Sequence, residues 1–362
     1  MTDRLDPRPL SAGRRPTLAD VARLAGVSQQ TVSRVLNGSA EVHPGTRARI
    51  QQCIERVGYR PNRAARYLAT NRSKVLGVMS APTALYGPAA TLYAVDLAAR
   101  QAGYSICAAN IESGDERSVE EALEVLLDQP VEGIVVVGHG PAVEPVLARI
   151  RMPVPIVATA GEAATTIPYV STEQTGGSKM ATEHLLGLGH PTVAHVAGPT
   201  WSVEARLRAA GWRQALEAAG RAVPTPVGGD WQAASGYVAG RQLARDLELT
   251  AVFAANDQMA LGVLRALAEA GRRVPEDVSV VGFDDVPDAA YFSPPLTTVR
   301  QDLRALAQAA VALVLAELGA VGHEPPVTTH TLPSRLVVRA STSRCRPRRP
   351  PARRRPPAAT AH

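Results

Sequence analysis

From residue 75 to about residue 340, short β-branched runs alternate with amphipathic stretches, and this alternation limits the fold more than any other feature. Six of the runs read VLGVM, GIVVV, VPIVA, VAHVA, AVFAA and VSVVGF, and stretches such as KMATEHLLGLG and MALGVLRALAEAG separate them. Strands separated by helices form parallel sheets with helices on both faces. Because about ten strands are too many for one comfortable sheet, we predict two α/β lobes.

Length and cysteine content narrow the class of protein. The 362 residues exceed the roughly 250 to 300 that one hydrophobic core holds, so more than one folding unit is expected. No apolar run reaches the roughly 18 residues that span a bilayer, and the first residues lack the apolar stretch of a secretory signal. Cys53, Cys107 and Cys345 form no CxxC pair, which fits a reducing cytoplasm. We expect a cytoplasmic protein without membrane contact.

The net charge of +6 hides a segregation of charge along the chain. Residues 1–74 carry 14 Lys or Arg and five Asp or Glu, residues 344–362 carry seven Arg and no acid, and the residues between have a net charge of −10. A basic N-terminal part on an acidic body favours a polyanion at the N-terminus. Residues 1–16 and 341–362 are rich in Pro and Arg, and we predict that both segments are disordered.

Residues 17–38, TLADVARLAGVSQQTVSRVLNG, predict two short helices joined by a tight turn. Thr17 is placed to cap a helix over residues 18–25, Gly26 permits the left-handed turn, and Ser28 is placed to cap a helix over residues 29–36. The apolar side chains that hold the two helices together are Val21, Leu24, Val27, Val32 and Val35. This pattern is typical of a helix-turn-helix.

The other face of the second helix carries side chains that match base edges. In a helix-turn-helix the second helix enters the major groove, where the amides of Gln29 and Gln30 suit adenine and the guanidinium of Arg34 suits guanine. The short polar side chains suited to phosphates are Thr17, Ser28, Thr31, Ser33 and Asn37. The alternative is a small helical bundle with a polar outer face.

A third helix is predicted over residues 46–57 and a shorter one, NRAARYLA, over residues 62–69. The short helix is too poor in apolar residues to be stable alone, so we expect it to form only on a partner. Leu68 is then an apolar wedge for a base step in the minor groove, with Arg63 and Arg66 on phosphates. The alternative is a linker whose leucine packs on the core.

Five segments resemble, in the same order, those of the LacI/GalR family of bacterial transcriptional regulators: TLADVARLAGVSQQTVSRVLNG, PNRAARYLA, VAGPTWSVEARLRAAGW, ANDQMALGVLRAL and VSVVGFDDVPDAAYFSPPLTTVRQD. The likeness extends from residue 17 to about residue 340. It implies a small all-α helix-turn-helix headpiece and an α/β two-lobed core like that of periplasmic sugar-binding proteins. It also implies a homodimer that binds double-stranded operator DNA and a small-molecule sugar, with no cofactor, no metal and no catalytic residues.

The resemblance divides the chain into a disordered arm (1–16), the headpiece (17–61), a hinge helix and linker (62–73), the core that binds effector and dimerises (74–340), and an Arg/Pro-rich tail (341–362). It implies base reading by Gln29, Gln30 and Arg34, insertion of Leu68 into the operator, and DNA contacts from Thr46 and Asn62 beside the phosphate-suited side chains above. It assigns effector binding to Arg208, Trp231, Asn256, Asp284 and Gln301.

The chemistry of these five side chains fits a β-galactoside or related glycoside. Guanidinium, amide and carboxylate groups pair with hydroxyls, and an indole covers the apolar face of a pyranose. Singly, each has a structural explanation: Asp284 as a loop cap, Arg208 in a surface ion pair, Trp231 in the core.

The chain departs from the family member that it resembles most. Ala160 or Gly161 replaces an aspartate at the pocket edge, Thr172 lies near a replaced aromatic residue, and Gln29 replaces a tyrosine. The same effector is therefore plausible but a different operator is expected. No leucine heptads follow residue 340, so we expect a dimer without further assembly.

The sequence leaves one alternative function open and disfavours two others. A family member that binds a purine or other co-repressor, and then binds DNA more tightly, stays open as the main alternative. An enzyme that turns over a glycoside is disfavoured, because the sequence has no GxSxG or HExxH motif and only a lone GHG. A free transport protein would have a signal peptide and no headpiece.

Overall fold

The computed structural model describes residues 16–36, 39, 41–59, 67, 72–80, 85–111, 115–138, 140, 142–150, 152–161, 167–319 and 329–345. Asn37, Asn62 and Leu68 lie outside the described residues, as do nearly all of the predicted N-terminal arm and hinge helix. The chain divides into two compact units, Met1–Ser73 and Lys74–His362. In the part of the chain that the structure describes, no helix is both long and apolar enough to span a bilayer.

The N-terminal unit contains helices α1 (Leu18–Ala25), α2 (Gln29–Leu36) and α3 (Pro44–Val57). The bounds of α1 and α2 agree with the prediction because local signals set them. Thr17 and Asp20 form a reciprocal capping box at the start of α1, and Gly26 ends it with a φ of 60°. Helix α3 begins two residues earlier than predicted, since His43 accepts from the Gly45 amide and Pro44 suits the first helical position.

The three helices pack around one small apolar core. Val21, Val32 and Ile50, one from each helix, are fully buried. The other members of this core are Ala22, Ala25, Val35, Val42 and Cys53. Its burial leaves the opposite face of α2 in solvent, as the apolar spacing predicts.

The described part of the second unit contains twelve strands and eight α-helices. The strands are β1 (Val75–Ser80), β2 (Ser105–Asn110), β3 (Gly133–Val137), β4 (Ile156–Ala158), β5 (Tyr169–Thr172), β6 (Ala194–Ala197), β7 (Val227–Gly228), β8 (Ala251–Ala254), β9 (Ser279–Asp284), β10 (Thr297–Arg300), β11 (Thr329–Leu332) and β12 (Arg335–Val337). The helices are α4 (Tyr86–Gln101), α5 (Glu116–Leu127), α6 (Val143–Arg149), α7 (Gln174–Gly187), α8 (Val203–Ala218), α9 (Ala233–Leu243), α10 (Asp257–Glu269) and α11 (Leu303–Gly319).

These strands form two six-stranded sheets, so the prediction of two α/β lobes is confirmed. The first lobe has the strand order β11–β5–β4–β3–β1–β2 with every pair parallel. The second lobe has the order β12–β10–β9–β8–β6–β7, in which only β12 is antiparallel to its neighbour. The six quoted strand runs coincide with β1, β3, β4, β6, β8 and β9.

Helices cover both faces of each sheet. Helices α4 and α11 pack on one face of the first sheet, and α5 and α6 pack on the other. In the second lobe, α7 and α8 share one face while α9 and α10 share the opposite face. The chain passes between the lobes after β5, after β10 and after β11. These crossings position the residues described below.

The predicted disordered tail begins too early. Residues 341–345 belong to the second lobe: the Ser341 carbonyl accepts from the Val280 amide at 2.8 Å, and the Ser341 hydroxyl donates to the Val280 carbonyl at 2.6 Å. The Cys345 amide donates to the carbonyl of Leu188 at 2.9 Å. Composition suggested disorder because this stretch has few apolar side chains, but hydrogen bonds to the lobe order it. Residues 346–362 lie outside the described residues.

Candidate functional site

An open cavity lies between the two lobes of the second unit, with an empty volume of about 810 Å³ when the adjoining open solvent is included. Its lining comes from segments that directly follow parallel strands: Thr172 ends β5, Asp284 ends β9, and Gln301 follows β10. The loops after β4, β6, β7 and β8, together with helices α4, α7 and α8, contribute the remaining polar lining. In open α/β sheets, ligands bind at the carboxyl ends of the strands. The fold therefore places side chains from both lobes around one concave site.

All five of the predicted effector residues line this cavity. They come from separate elements of the second lobe and its crossings, namely α8 (Arg208), the loop after β7 (Trp231), the start of α10 (Asn256), the end of β9 (Asp284) and the crossing after β10 (Gln301). Thr172, near which the aromatic residue of the family is replaced, also lines the cavity. Neither Ala160 nor Gly161 lines it, whereas the preceding residue Thr159 does.

A closed ring of hydrogen bonds joins the crossings to the cavity. Arg208 Nε donates to Gln174 Oε1 at 2.8 Å, and Gln174 Nε2 donates to Gln301 Oε1 at 2.8 Å. Gln301 Nε2 donates to Asp284 Oδ1 at 2.7 Å, and Arg208 Nη2 lies 3.2 Å from the same oxygen. Thr172 joins by donating to Gln301 and accepting from Gln174 at 2.7 Å. The crossings after β5 and β10 are thus linked through the floor of the cavity.

Arg208 is buried and enclosed rather than placed in a surface ion pair. Its guanidinium carbon lies 3.8 Å from the centroid of the Phe283 ring and 5.3 Å from that of Trp231. Burial raises the pKa of Asp284, and the neighbouring Arg208 and Gln301 oppose this rise. A guanidinium held between two aromatic faces and a carboxylate is fixed in one orientation toward a ligand.

Backbone strain concentrates at the same place. Four described non-glycine residues have positive φ, and two of them, Trp231 (φ 74°) and Asp284 (φ 109°), line the cavity while Asp285 (φ 54°) adjoins it. Such conformations cost on the order of 1–3 kcal/mol each and cluster at binding sites. The strain points to the cavity as a functional site.

The polar atoms that the protein leaves unpaired are both donors and acceptors. Of the five N–H groups of Arg208, three face Gln174, the Ala255 carbonyl and Asp284, so two are without a partner among the described residues. One of the two N–H groups on Gln301 Nε2 also has no partner among the described residues, and Asp284 Oδ2 accepts no hydrogen bond from them. This mixture suits hydroxyls, because a hydroxyl donates and accepts at once.

Asn256 has a structural task as well as a place in the cavity. Its Oδ1 accepts from the Met259 amide at 2.9 Å and so caps α10. Its Nδ2 donates to the Trp231 carbonyl at 2.9 Å and to Gln258 Oε1 at 3.1 Å. Within the described residues, one lone pair on Oδ1 is therefore left for a ligand. Asn256, and not Asp284, is thus the residue that caps a helix here.

In the N-terminal unit, the outer face of α2 carries the predicted base-reading side chains. Gln29, Gln30 and Arg34 are exposed, and Arg34 Nη1 lies 3.8 Å from Glu41 Oε2, a separation that allows only a weak surface pair. The Ser28 hydroxyl accepts from the Thr31 amide at 3.1 Å, as predicted for a cap. Thr17, Thr31, Ser33 and Thr46 are partly exposed.

Two parts of the chain match models of known protein families. Residues 17–62 match the model of the bacterial regulatory proteins of the lacI family, and residues 182–342 match that of the periplasmic binding protein-like domain. The lactose operon repressor of Escherichia coli (strain K12) is 38% identical over 302 residues, which cover 82% of each chain. This chain belongs to the lacI family.

Solved structures agree with this assignment. The lac repressor dimer bound to operator and the anti-inducer ONPF is similar with a TM-score of 0.81 and 36% identity, covering 91% of this chain and all of that one. A complex of the transcriptional regulator CelR with cellobiose has a TM-score of 0.69 and 34% identity, covering 90% of this chain and all of that one. The predicted family and fold class of this lacI-family regulator are therefore confirmed.

Sequence reasoning missed several side chains that line the cavity of this lacI-family regulator. Gln174 is buried at the first position of α7, and its neighbours in sequence gave no signal for a ligand contact. Tyr86 comes from the first lobe, and burial together with the carboxylates of Asp284 and Asp257 raises the pKa of its hydroxyl. Trp201 and Glu204 lie within the quoted segment VAGPTWSVEARLRAAGW, which marked the family without marking these positions.

Proposed function

We propose that this chain is a transcriptional repressor that binds operator DNA through α2 and leaves it when a β-galactoside or related glycoside binds between the lobes. The observation that carries the proposal is the cavity floor, where donors of Arg208 and Gln301 without a partner among the described residues lie beside an oxygen of Asp284 that is likewise unpaired there. Sugar hydroxyls satisfy both kinds of group, and the indole of Trp231 suits the apolar face of a pyranose.

The charge of the cavity favours a neutral ligand. The carboxylate of Asp284 offsets the guanidinium of Arg208, and Glu204 adds a further negative charge to the lining. These carboxylates would repel an anionic ligand. The described lining residues include no Lys or Arg besides Arg208 to offset that repulsion. A neutral glycoside fits the balance of charges better than a phosphorylated or acidic sugar does.

A purine co-repressor that tightens DNA binding is the second candidate. The tryptophan rings on the cavity wall would stack on a base as well as on a pyranose. The polar groups of the cavity favour the sugar over the purine. Donors, acceptors and a carboxylate lie close together there, and such a cluster matches the vicinal hydroxyls of a sugar.

The DNA side of the proposal rests on α2. Gln29, Gln30 and Arg34 would read base edges, and Thr17, Ser28, Thr31, Ser33 and Thr46 would contact phosphates with Asn37 and Asn62. Leu68 would enter the minor groove. We place the protein in the cytoplasm as a homodimer, since a two-fold axis matches two operator half-sites. The similar lac repressor is a dimer on its operator.

The effector must bind the two lobe arrangements unequally in order to release DNA, because equal affinity for both would shift nothing. A preference of roughly 100-fold corresponds to about 2.7 kcal/mol per site. We propose binding without turnover, and incubation of the purified protein with glycosides should give no product.

Titration calorimetry separates the candidates. The full-length protein is titrated with galactosides, glucosides, and the purines hypoxanthine and guanine, and each compound is then added to a complex with a fluorescent operator fragment. The proposal predicts that a glycoside binds and lowers the fluorescence anisotropy of the DNA. Binding of a purine with a rise in operator affinity would favour the co-repressor function, and absence of glycoside binding would overturn the sugar effector.

A further inference from the structure

The three tryptophans of the chain occupy three different environments. Trp212 is fully buried in the second lobe, and Trp231 is half-buried on the cavity wall. Trp201 also lines the cavity, but 52% of its surface is exposed. A large aromatic surface that lines a cavity and contacts water is suited to stack on a ligand ring.

The loop that carries Trp201 is held by its own hydrogen bonds. Arg206 Nη1 donates to the carbonyls of Trp201 at 3.2 Å and Thr200 at 3.5 Å. The Ser202 amide donates to the Pro199 carbonyl at 3.0 Å, and the Ser202 hydroxyl accepts from the Ala205 amide to cap α8. The exposed indole therefore projects from a fixed backbone, which limits the entropy lost when a ligand packs on it.

Exposure separates an inner and an outer part of the cavity. Arg208, Asp284 and Asn256 are at most 8% exposed, so they form the inner end. Trp201 lies at the open end with Glu204, whose carboxylate accepts from the Ser202 hydroxyl at 2.7 Å. We call Trp201 and Glu204 the outer subsite.

We infer that the outer subsite binds a second ring of the effector, so that the preferred ligand is a disaccharide or an aryl glycoside and not a monosaccharide. The inference rests on the proposed function, since it extends the same glycoside outward. The inner polar groups hold the first pyranose, and the indole of Trp201 stacks on the ring attached to it. A carboxylate beside this ring excludes anionic rings and leaves an acceptor for a hydroxyl.

The test compares paired probes on the full-length chain and its variants. Galactose and lactose form one pair, and glucose and cellobiose form the other; each is titrated against wild type, Trp201→Ala and Trp201→Phe by calorimetry. Tyr291→Ala removes an aromatic ring that is 88% exposed and does not line the cavity, and it serves as the matched control. Thermal unfolding checks that every variant is folded.

We expect Trp201→Ala to raise the Kd for the disaccharide about tenfold and to change that for the monosaccharide by less than about twofold. Trp201→Phe should recover most of the loss, and Tyr291→Ala should bind as wild type. Equal effects on both members of a pair, or no effect, would overturn the outer subsite alone. If wild type binds none of the four sugars, the proposed function fails and the outer subsite fails with it.

Discussion

The guanidinium of Arg208 lies 3.2 Å from the carboxylate of Asp284, and both side chains are at most 8% exposed. Arg208 comes from α8, whereas Asp284 ends β9 in a strained conformation. A buried pair of this kind contributes little net stability, because desolvation of both charges offsets their attraction. The fold maintains the pair at the cavity floor together with Gln301, which favours a role in binding.

Replacement of Asp284 by Asn should separate sugar binding from DNA binding. The amide keeps an oxygen for Gln301 but leaves the charge of Arg208 without its partner, so glycoside affinity should fall at least tenfold. Operator affinity should change less than about twofold, and sugar should no longer release the operator. Calorimetry and fluorescence anisotropy measure the two effects, with the exposed Asp288→Asn as control.

This variant will also be less stable, since loss of one member of a buried pair costs about 3–5 kcal/mol. The binding experiments are therefore done below the temperature at which thermal unfolding begins. Normal release of the operator by sugar in a folded Asp284→Asn protein would contradict the role of Asp284.

Arg34 is predicted to discriminate between DNA sequences. Loss of its bidentate contact to guanine should cost about 1–3 kcal/mol of operator binding and leave binding to random DNA nearly unchanged. Arg56→Ala removes the same charge from an exposed position at the end of α3 and should not change the ratio of the two affinities. The ratio of Kd values for operator and random duplex at one fixed salt concentration is the measurement. An equal loss on both duplexes would remove Arg34 from base reading.

Gly198 supports the cavity wall by leaving room for Trp231. A Cβ atom at this position would lie 2.4 Å from the Trp231 ring, closer than real contacts allow. Gly198→Ala should therefore displace the indole and weaken glycoside binding about tenfold, while operator binding is unchanged. Gly187→Ala is the matched control, because nothing lies within 4 Å of its added Cβ. Wild-type sugar affinity in Gly198→Ala would show that Trp231 does not contact the sugar.

Local signals made the headpiece predictable. Helices α1 and α2 follow from Thr17, Gly26 and Ser28, whose capping and turn chemistry acts within four residues of each site. The two lobes are predictable for a similar reason, since the periodicity of apolar residues decides between strand and helix.

The cavity was only partly predictable. The family segments identify Asp284 and Arg208, but the contact of Gln174 with both Arg208 and Gln301 depends on how two crossings meet in space. The N-cap role of Asn256 is local, although its residue type equally suits a sugar contact. Trp201 belongs to a segment that marked the family, yet nothing in sequence distinguishes an indole that faces a cavity from one in a core.

We predict that His195 makes the free energy of unfolding depend on pH. It lies in β6, fully buried, with Nδ1 donating to the Phe253 carbonyl at 3.0 Å and its ring stacked 5.0 Å from Trp212 and 4.9 Å from Phe253, measured between centroids. Its Nε2 has no hydrogen bond among the described residues. Burial lowers its pKa to about 4, and the charge of Arg208 adds to this effect while the bond to Phe253 opposes it.

In the unfolded chain this imidazole has its ordinary pKa of about 6.5, so between pH 6.5 and about 4 the unfolded state binds a proton that the folded state does not. The free energy of unfolding should be insensitive to His195 above pH 6.5 and should fall by up to about 3 kcal/mol as the pH decreases through this window.

His195→Phe keeps an aromatic ring between Trp212 and Phe253 and removes the titration. Urea unfolding of wild type and His195→Phe at pH 7.5, 6.0, 5.0 and 4.5 should give curves that diverge only below pH 6.5, with the wild type losing more stability. The exposed His330→Gln should follow the wild type, because it leaves this buried ring in place. Parallel profiles for wild type and His195→Phe would mean that the imidazole is protonated inside the folded lobe or that the lobe opens to water before it titrates.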